Sequence, residues 1–300
     1  MKVRSFAKIN LGLRIVRKRS DGFHDIETIF QQIDLHDDMT IVATNDGHIR
    51  ITTSTPACPA DASNLAYRAA DLLRRELDKP QLGCRIHIDK NIPAGAGLGG
   101  GSSNGAVALK ARNKLWYGSV SESQLIDLAA RLGSDVPFFI TGGMALGSGR
   151  GEKLAPIEQT FSYYGLLICP DVHISTAWVY NNLKLTLTNN DNLAKFSGFI
   201  PKLHETCEWK SVLRNDLKSV VFQAHPEFRS VIDDLYKVGA FYAQMSGSGS
   251  TLFGLFEQEK EQQKQNKKQN KQNNKKQRSV EQLFARKYKN YRTIRFKPIN

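Results

Sequence analysis

The sequence predicts an α+β protein with two domains, and three observations support this prediction. The chain has 300 residues, more than a single hydrophobic core usually organises. Strand-like segments are mixed with helix-like segments and with a hairpin signal, which argues against a doubly wound parallel sheet. A glycine-rich stretch near residue 150 separates two halves that each contain such segments, and we find no internal repeat. We therefore expect one domain over residues 1–153 and a second over residues 154–300.

The first predicted strand covers residues 7–16, where apolar and polar residues alternate. Its apolar face carries Ile9, Leu11, Leu13 and Ile15, and its polar face carries Lys8, Asn10, Gly12 and Arg14. Residues 39–55 predict two more strands, joined as a hairpin at Asp46-Gly47. The sequence thus places a lysine and an asparagine side by side on one polar strand face.

Helix signals follow in the same half. Ser63 is a suitable cap for a helix whose Leu65, Ala69, Leu72 and Leu73 share one face. Residues 83–92 alternate as a strand, and the apolar stretch that starts at residue 103 predicts a buried helix up to residue 116. A further helix is expected to open with a capping box and to end at a glycine; these positions are Ser121, Gln124 and Gly133.

Composition limits the classes of function. The charge of +13 is concentrated in residues 257–300, which hold 14 Lys/Arg against 4 Asp/Glu. The body of the chain is therefore nearly neutral. No apolar run is long enough to span a membrane, and the charged first residues do not resemble a signal peptide. Four separated cysteines without a CxxC pair suit a reducing cytoplasm. We expect a cytoplasmic protein without a membrane partner.

The stretch PAGAGLGGGSSN, residues 93–104, lies between a predicted strand and a predicted helix. Such a loop offers backbone N–H groups and the positive end of a helix to a phosphate. Gly95, Gly97 and Gly100 match G-x-G-x-x-G, but no acidic residue follows at the distance that a dinucleotide site requires. The lysine of a Walker A loop and the protein-kinase motifs are absent as well. A surface turn is the alternative.

Three segments together resemble the GHMP kinases, the family of galactose, homoserine, mevalonate and phosphomevalonate kinases. They are AKINLGL at residues 7–13, the glycine loop, and MSGSGSTLFGLF at residues 245–256. Within the family, residues 7–37 and LGSDVPFF resemble the members that phosphorylate the 2-hydroxyl of CDP-methylerythritol in the non-mevalonate isoprenoid pathway. The resemblance implies a two-domain GHMP fold with its active site in the cleft between the domains. A mevalonate or homoserine type of kinase is the alternative acceptor class.

The resemblance also implies roles for individual residues. ATP is the phosphoryl donor, and Mg²⁺ is expected with it. The segment implied to bind ATP consists of Pro93, Ala94, Gly95, Ala96, Gly97, Leu98, Gly99, Gly100, Gly101, Ser102 and Ser103. Asp135 corresponds to the proton acceptor and Lys8 to the active-site lysine. From the residues alone, Asp135 is as well explained as an N-cap of the next helix, and Lys8 as a solvated strand lysine.

Substrate contacts are implied in three places. Asn10 shares the polar face of Lys8 and is expected to reach the same substrate. Phe23, His24 and Tyr180 are implied to hold the cytosine by stacking and hydrogen bonds, with Phe23 at a position where the resembled members usually carry Tyr. Gly247 and Gly249 would let the backbone approach substrate or phosphates, and a plain hairpin turn is the alternative. The metal ligands and the oligomeric state are left open.

A basic segment at about residues 258–278 has no apolar side chain between residues 260 and 278. It cannot bury enough surface to offset the entropy of ordering, so we interpret it as a solvated insertion. The alternative is a nucleic-acid-binding module. No aromatic residue interleaves with its lysines, so base stacking has no platform there and no nucleic-acid partner is expected.

Overall fold

The computed structural model describes residues 1–116, 120–158, 162–183, 195–257 and 280–299. Within these residues the protein contains a six-stranded and a four-stranded sheet, with helices packed on both. This arrangement is α+β, as predicted.

The first sheet is formed by the strands β1 (Lys2–Lys18), β2 (His24–Thr44), β3 (Ile49–Thr53), β4 (Gly83–Asp89), β5 (Met144–Ser148) and β6 (Lys153–Pro156). β1 pairs antiparallel with β2 along most of its length. The other edge of β2 is shared: residues 38–44 pair with β4, and residues 28–31 pair with β5. β2 therefore links the two ends of this sheet.

The predicted hairpin at Asp46-Gly47 is wrong. The turn and both strands exist, but β4 lies between them and pairs antiparallel with β2 and parallel with β3. The side chains of Cys84, Ile86 and Ile88 are buried, and the central position lets the backbone groups on both edges of β4 form ladder hydrogen bonds. Asp46 still shapes the turn, since its Oδ1 accepts hydrogen bonds from the Thr44 hydroxyl and the His48 N–H.

Helices of the first half cover one face of this sheet: α1 (Leu65–Glu76), α2 (Gly100–Leu115), α3 (Glu122–Leu132) and α4 (Phe138–Thr141). α2 begins three residues before the expected position. The cap of α1 is Asn64, whose side chain accepts from the Ala66 N–H, and not Ser63. The capping box and the glycine that ends α3 are confirmed.

The second sheet has the order β10-β7-β9-β8, and all its neighbours are antiparallel. Its strands are β7 (Tyr163–Pro170), β8 (Tyr242–Met245), β9 (Leu252–Glu257) and β10 (Tyr291–Phe296). The helices of this half are α5 (Thr176–Asn181), α6 (Phe196–Phe199), α7 (Trp209–Val212), α8 (Lys218–Ala224) and α9 (Glu227–Lys237), with 3₁₀ turns at Ile200–Lys202 and Thr206–Glu208. Residues 280–287 are also helical.

One apolar cluster joins the two halves. It combines Ile9 and Leu11 of β1 with residues of the second half such as Trp209, Phe253 and Phe296, all almost fully buried. Burial of each such side chain contributes roughly 1.5–3 kcal/mol. The cluster fixes the second sheet against β1, and β1 carries Lys8. The domain boundary between residues 153 and 154 falls within β6 and stays a prediction.

Candidate active site

Lys8 and Asp135 lie together, although 126 positions separate them in the sequence. Lys8 is 3% exposed, and its Nζ lies 3.2 Å from Asp135 Oδ2. The same Nζ donates to Asn10 Oδ1 at 2.6 Å and to the carbonyl oxygen of Gly97 at 3.1 Å. Lys8 is therefore not the solvated strand lysine of the alternative interpretation.

The Asp135 side chain is about one-third exposed, at 35%, so this carboxylate is open to the cleft. It lies in the turn before α4, but Pro137 occupies the N-cap position of that helix. The capping alternative is therefore not what the structure shows. A buried ammonium beside an accessible carboxylate is suited to phosphoryl transfer, where a hydroxyl proton and phosphate charge must be handled together.

Lys8 and Asn10 reach the same cleft because they are two positions apart on β1 and therefore share one face of the strand, between two register shifts. The β1–β2 register shifts between Phe6 and Ala7 and again between Asn10 and Gly12. Bulges of this kind bend a strand and re-aim its side chains. Asn10 is then fixed by its Nδ2, which donates to the Thr28 hydroxyl at 2.8 Å. Its Oδ1 remains directed at the Lys8 ammonium.

The glycine loop needs its glycines for backbone conformation. Gly95, Gly97 and Gly99 have φ values of +65°, +77° and +70°, a region that other L residues rarely adopt. Gly99 precedes α2, so the first N–H groups of this helix have no carbonyl partner within it. The loop therefore presents free donors and a positive helix end beside Lys8. The surface-turn alternative does not explain this placement.

The third glycine segment meets the first two. Residues 246–250 form the turn between β8 and β9, and the Ser246 hydroxyl donates to the Gly97 carbonyl at 2.8 Å. A Cβ on Gly97 would overlap the carbonyl of Ser246 and lie 2.9 Å from that of Gly249. The segment is thus a hairpin turn that also contacts the glycine loop.

Ser103 lies apart from the cleft. It is 1% exposed, its Oγ accepts from the Ser5 hydroxyl at 2.7 Å, and its N–H donates to the Gly99 carbonyl. Through these contacts Ser103 connects α2 to β1, and its contact with ATP stays a prediction.

A buried network beneath the loop was not anticipated from the sequence. Asp37 is fully buried and accepts hydrogen bonds from Lys90 Nζ at 2.5 Å, from the N–H groups of Asn91 and Ile92 at 2.8 Å each, and from Asn104 Nδ2 at 3.0 Å. Buried carboxylates persist only when they are paired and hydrogen-bonded. The network holds the start of the loop against the first turns of α2.

Aromatic side chains line the same cleft. The His24 and Tyr180 rings lie 5.1 Å apart, and Phe23 is 53% exposed with the Arg150 guanidinium 5.1 Å from its ring centroid. Burial, with a smaller contribution from the Lys18 charge, lowers the pKa of His24 below its usual value. Burial, with a smaller contribution from the Asp135 charge, raises the pKa of Tyr180 well above its usual value. Near neutral pH both side chains are therefore uncharged.

A single cleft of about 750 Å³ is lined by the Lys8–Asp135 pair, by glycines of the loop and by the aromatic side chains. Its lining includes Lys8, Asp135 and the glycine loop together with Phe23, His24 and Tyr180. Three further residues were missed from the sequence: Arg150 and His173 line the cleft, and Asn215 Nδ2 donates to the carbonyls of Met245 and Gly247 at 2.8 Å each. Each is a single polar residue in a segment without a recognisable pattern.

The described part of the chain contains neither a membrane-spanning helix nor a cluster of metal-binding side chains. No helix there has both the length and the apolar character needed to cross a membrane. No group of three or more His, Cys, Asp or Glu side chains is placed to hold a metal ion. The basic insertion, residues 258–278, lies outside the described residues.

Comparisons with known proteins show the family of this chain. Residues 64–143 match the GHMP kinases N terminal domain, and residues 199–273 match the GHMP kinases C terminal domain. The 4-diphosphocytidyl-2-C-methyl-D-erythritol kinase of Citrifermentans bemidjiense is 40% identical over 84% of this chain and 88% of its own length. That of Geobacter sulfurreducens is 41% identical over the same shares.

Solved structures give the same result. A crystal structure of 4-(cytidine 5'-diphospho)-2C-methyl-D-erythritol kinase has a TM-score of 0.78 and 29% identity, with both chains fully covered. A homoserine kinase from Cytophaga hutchinsonii has a TM-score of 0.72, covering 99% of this chain and 97% of that chain, but its 18% identity shows the fold alone.

The fold and the site define an ATP-dependent small-molecule kinase with an active site between two α+β units. The chain belongs to the GHMP kinases, and among them to the family of its curated relatives, the 4-diphosphocytidyl-2-C-methyl-D-erythritol kinases. The predicted GHMP fold is confirmed.

Proposed function

We propose that this chain transfers the γ-phosphoryl group of ATP to the 2-hydroxyl of 4-diphosphocytidyl-2-C-methyl-D-erythritol, in the non-mevalonate route to isoprenoid precursors. One observation supports this above all: a single cleft connects the phosphate-binding loop and the Lys8–Asp135 pair with a cluster of aromatic side chains. An acceptor with a reactive alcohol and a nucleobase needs both parts. The names of the relatives favour the same acceptor.

In this reaction the acceptor oxygen forms a bond to the γ-phosphorus while the bond to the bridging oxygen of ADP breaks. Asp135 takes the hydroxyl proton, and Lys8 places its ammonium beside both Asp135 and the glycine loop. The N–H groups of residues 95–102 hold the phosphates, and Asn10 orients Lys8 through its Oδ1. Positioning and charge stabilisation provide most of the catalysis in phosphoryl transfer.

Mg²⁺ is proposed to accompany ATP. Among the described residues that line the cleft, Asp135 is the one carboxylate, so the donor set fits a cation held mainly by the nucleotide phosphates and water. Asp135 is the residue that would contact it. When bound, the ion neutralises negative charge on the phosphates.

The aromatic cluster is proposed to recognise the cytosine. The exposed Phe23 ring offers a face for stacking, and Tyr180 lies beside His24 in the same cleft. The neutral imidazole of His24 carries one donor and one acceptor for the polar edge of the base. A site that hydrogen-bonds a group rejects analogues without that group more strongly than a site selected by shape alone.

An acceptor comparison tests the proposed function. ATP turnover would be measured with the proposed acceptor, 2-C-methyl-D-erythritol 4-phosphate, mevalonate and homoserine side by side. We expect kcat/KM for the three compounds without cytidine to be lower by roughly 10²-fold or more, the scale of a lost set of hydrogen-bonded contacts. A comparable kcat/KM for mevalonate or homoserine would refute the acceptor but not the kinase fold.

Substitution of Tyr180 tests base recognition separately. Tyr180→Ala should raise the KM for the acceptor by about 5–100-fold, because one base–aromatic contact contributes about 1–3 kcal/mol. The KM for ATP should stay unchanged. Trp178→Ala is the matched control, since Trp178 lies on the same helix α5, is 42% exposed and does not line the cleft. Equal effects of the two substitutions would contradict a role for Tyr180 in acceptor binding.

The remaining expectations are proposals as well. We infer a cytoplasmic enzyme, in line with its four free cysteines, of which three are buried.

Deletion of residues 260–278 should leave the kinase activity in place. Tight, salt-dependent nucleic-acid binding that disappears on deletion of this segment, in a chain without kinase activity, would favour the alternative module.

A further inference from the structure

A second cavity, of about 450 Å³, lies along α2 and shares no lining residue with the active-site cleft. We call it the rear cavity. One face of α2, at helical spacing, contributes Ser103, Val107, Lys110, Ala111 and Lys114. The other walls are Met1, Val3, Arg4 and Phe6 of the first chain segment, Gln32 of β2, and Phe139, Thr141 and Gly142 around the end of α4.

Among the described residues, every charged side chain that lines the rear cavity is positive. These are Arg4, Lys110 and Lys114, and all three are exposed. The Lys110 ammonium donates to the Ile140 carbonyl at 2.9 Å, which leaves it two further hydrogens. Asp38 is the cross-strand partner of Arg4, but it does not line the cavity, and its carboxylate is 58% exposed and 3.9 Å from the His36 ring. Several cations without a lining carboxylate produce a positive potential that attracts anions.

The rear cavity also has apolar lining residues, which we call its apolar floor. They are Val107 and Ala111 of α2, Val3 and Phe6 of the first chain segment, and Phe139. A cavity of this size with an apolar floor and a few polar groups is typical of small-molecule sites. Arginine and lysine together suit phosphate oxygens, which accept several charge-assisted hydrogen bonds. A simple inorganic ion would leave the apolar floor uncovered.

We propose that the rear cavity binds a small organic phosphate or diphosphate ester with an apolar group, separately from ATP and the acceptor. The ester's phosphate lies against Arg4 and Lys114, and its apolar group covers Val107 and Ala111. This proposal goes beyond the proposed function and does not depend on the identity of the acceptor.

The rear cavity is connected to the active site through Phe139. A Cβ on Gly99 would lie 2.8 Å from Phe139 Cζ and 3.1 Å from Lys8 Cε, so this ring packs directly behind the glycine loop and Lys8. A ligand that moves Phe139 therefore shifts the loop that binds ATP. The factor by which this ligand changes the affinity for ATP must, by thermodynamic linkage, equal the factor by which ATP changes the affinity of the rear cavity for the ligand.

Calorimetric titration of the full chain with pentyl diphosphate tests the proposal. Inorganic pyrophosphate and pentanol serve as the two partial ligands, and each titration is repeated with a saturating, non-hydrolysable ATP analogue. We expect one site that persists with the analogue present and binds pentyl diphosphate about tenfold or more tightly than pyrophosphate. Arg4→Gln and Lys114→Gln should each weaken it by about tenfold or more, the equivalent of one charge-assisted hydrogen bond.

Lys2→Gln is the matched control, because Lys2 is exposed on the same strand and does not line the rear cavity. It should leave the affinity for pentyl diphosphate unchanged. Complete loss of binding with the ATP analogue would place the ligand in the active-site cleft and overturn the proposal. Unchanged affinity in both the Arg4 and the Lys114 variants, or equal affinity for pyrophosphate, would also overturn it. None of these readouts requires turnover, so failure here is distinct from failure of the proposed function.

Discussion

Asp135→Asn should lower kcat by roughly 10²–10⁴-fold, the usual contribution of a general base. Asparagine keeps the shape of the side chain and an oxygen that can accept from Lys8, but it cannot take up the proton of the acceptor hydroxyl. Lys8 retains its hydrogen bonds to Asn10 and Gly97, so the fold should remain. Steady-state kinetics should therefore show the loss in kcat, with the KM values for ATP and acceptor within about threefold of the parent, since the lost interaction acts mainly in the transition state.

Asp127→Asn is the matched control for this experiment. Asp127 lies on the exposed side of α3, outside the cleft, so its substitution should not change kcat. Thermal unfolding of both variants checks that the chain is intact. If the kcat of Asp135→Asn stays within a few-fold of the parent value, Asp135 is not the general base.

Lys8→Met is expected to have the second-largest effect, a fall in kcat of about 10²–10³-fold, as for the loss of one preorganised donor at a charged transition state. Methionine preserves an unbranched apolar side chain but removes the ammonium. The Asn10 Oδ1 also loses the Lys8 donor, and an unsatisfied buried acceptor costs about 1–3 kcal/mol, whereas the Gly97 carbonyl keeps the Ser246 hydroxyl. The melting temperature should therefore fall, and kinetics must be measured well below it.

The double variant Lys8→Met/Asp135→Asn tests whether the two side chains act together in catalysis. If the two side chains act as one unit, the double variant should be scarcely slower than the slower single variant, because groups that act together are strongly non-additive. Fully multiplied effects would show that Lys8 and Asp135 act independently. Lys2→Met, at the exposed start of the same strand, should leave both kcat and melting temperature unchanged.

Sequence reasoning succeeded where the signal is local. The alternation in β4, the capping box of α3 and the strand–glycine–helix order all depend on neighbouring residues, and all are present in the structure. It failed where distant residues compete. The insertion of β4 between β2 and β3 depends on pairing between residues 35 to 51 positions apart, which an Asp-Gly turn does not reveal. The one-residue error at the α1 cap arose because serine and asparagine are almost equally good caps.

The candidate site shows the same division. Lys8, Asn10 and Asp135 were identified by a resemblance, since a lysine on a strand face or an aspartate before a helix has no distinctive pattern. Asn215 was missed because its role, donating to two carbonyls of the β8–β9 turn, exists only after the second sheet packs on β1. The hydrogen bond between Ser5 and Ser103 was likewise not visible in the sequence, because it joins residues 98 positions apart.

The contact between the Gly97 carbonyl and the Ser246 hydroxyl has a consequence for the order of events during synthesis. Residues 1–156 emerge from the ribosome first. This part contains all six strands of the first sheet, together with Lys8, Asp135 and the glycine loop. The Ser246 side of the junction emerges about ninety residues later, and β10, which completes the second sheet, later still. Loop closure over such separations is slow compared with local folding. A nascent chain can therefore form the sheet that carries Lys8 and Asp135 before the glycine loop acquires its Ser246 partner. We expect a ribosome-bound chain to lack kinase activity until the second sheet docks.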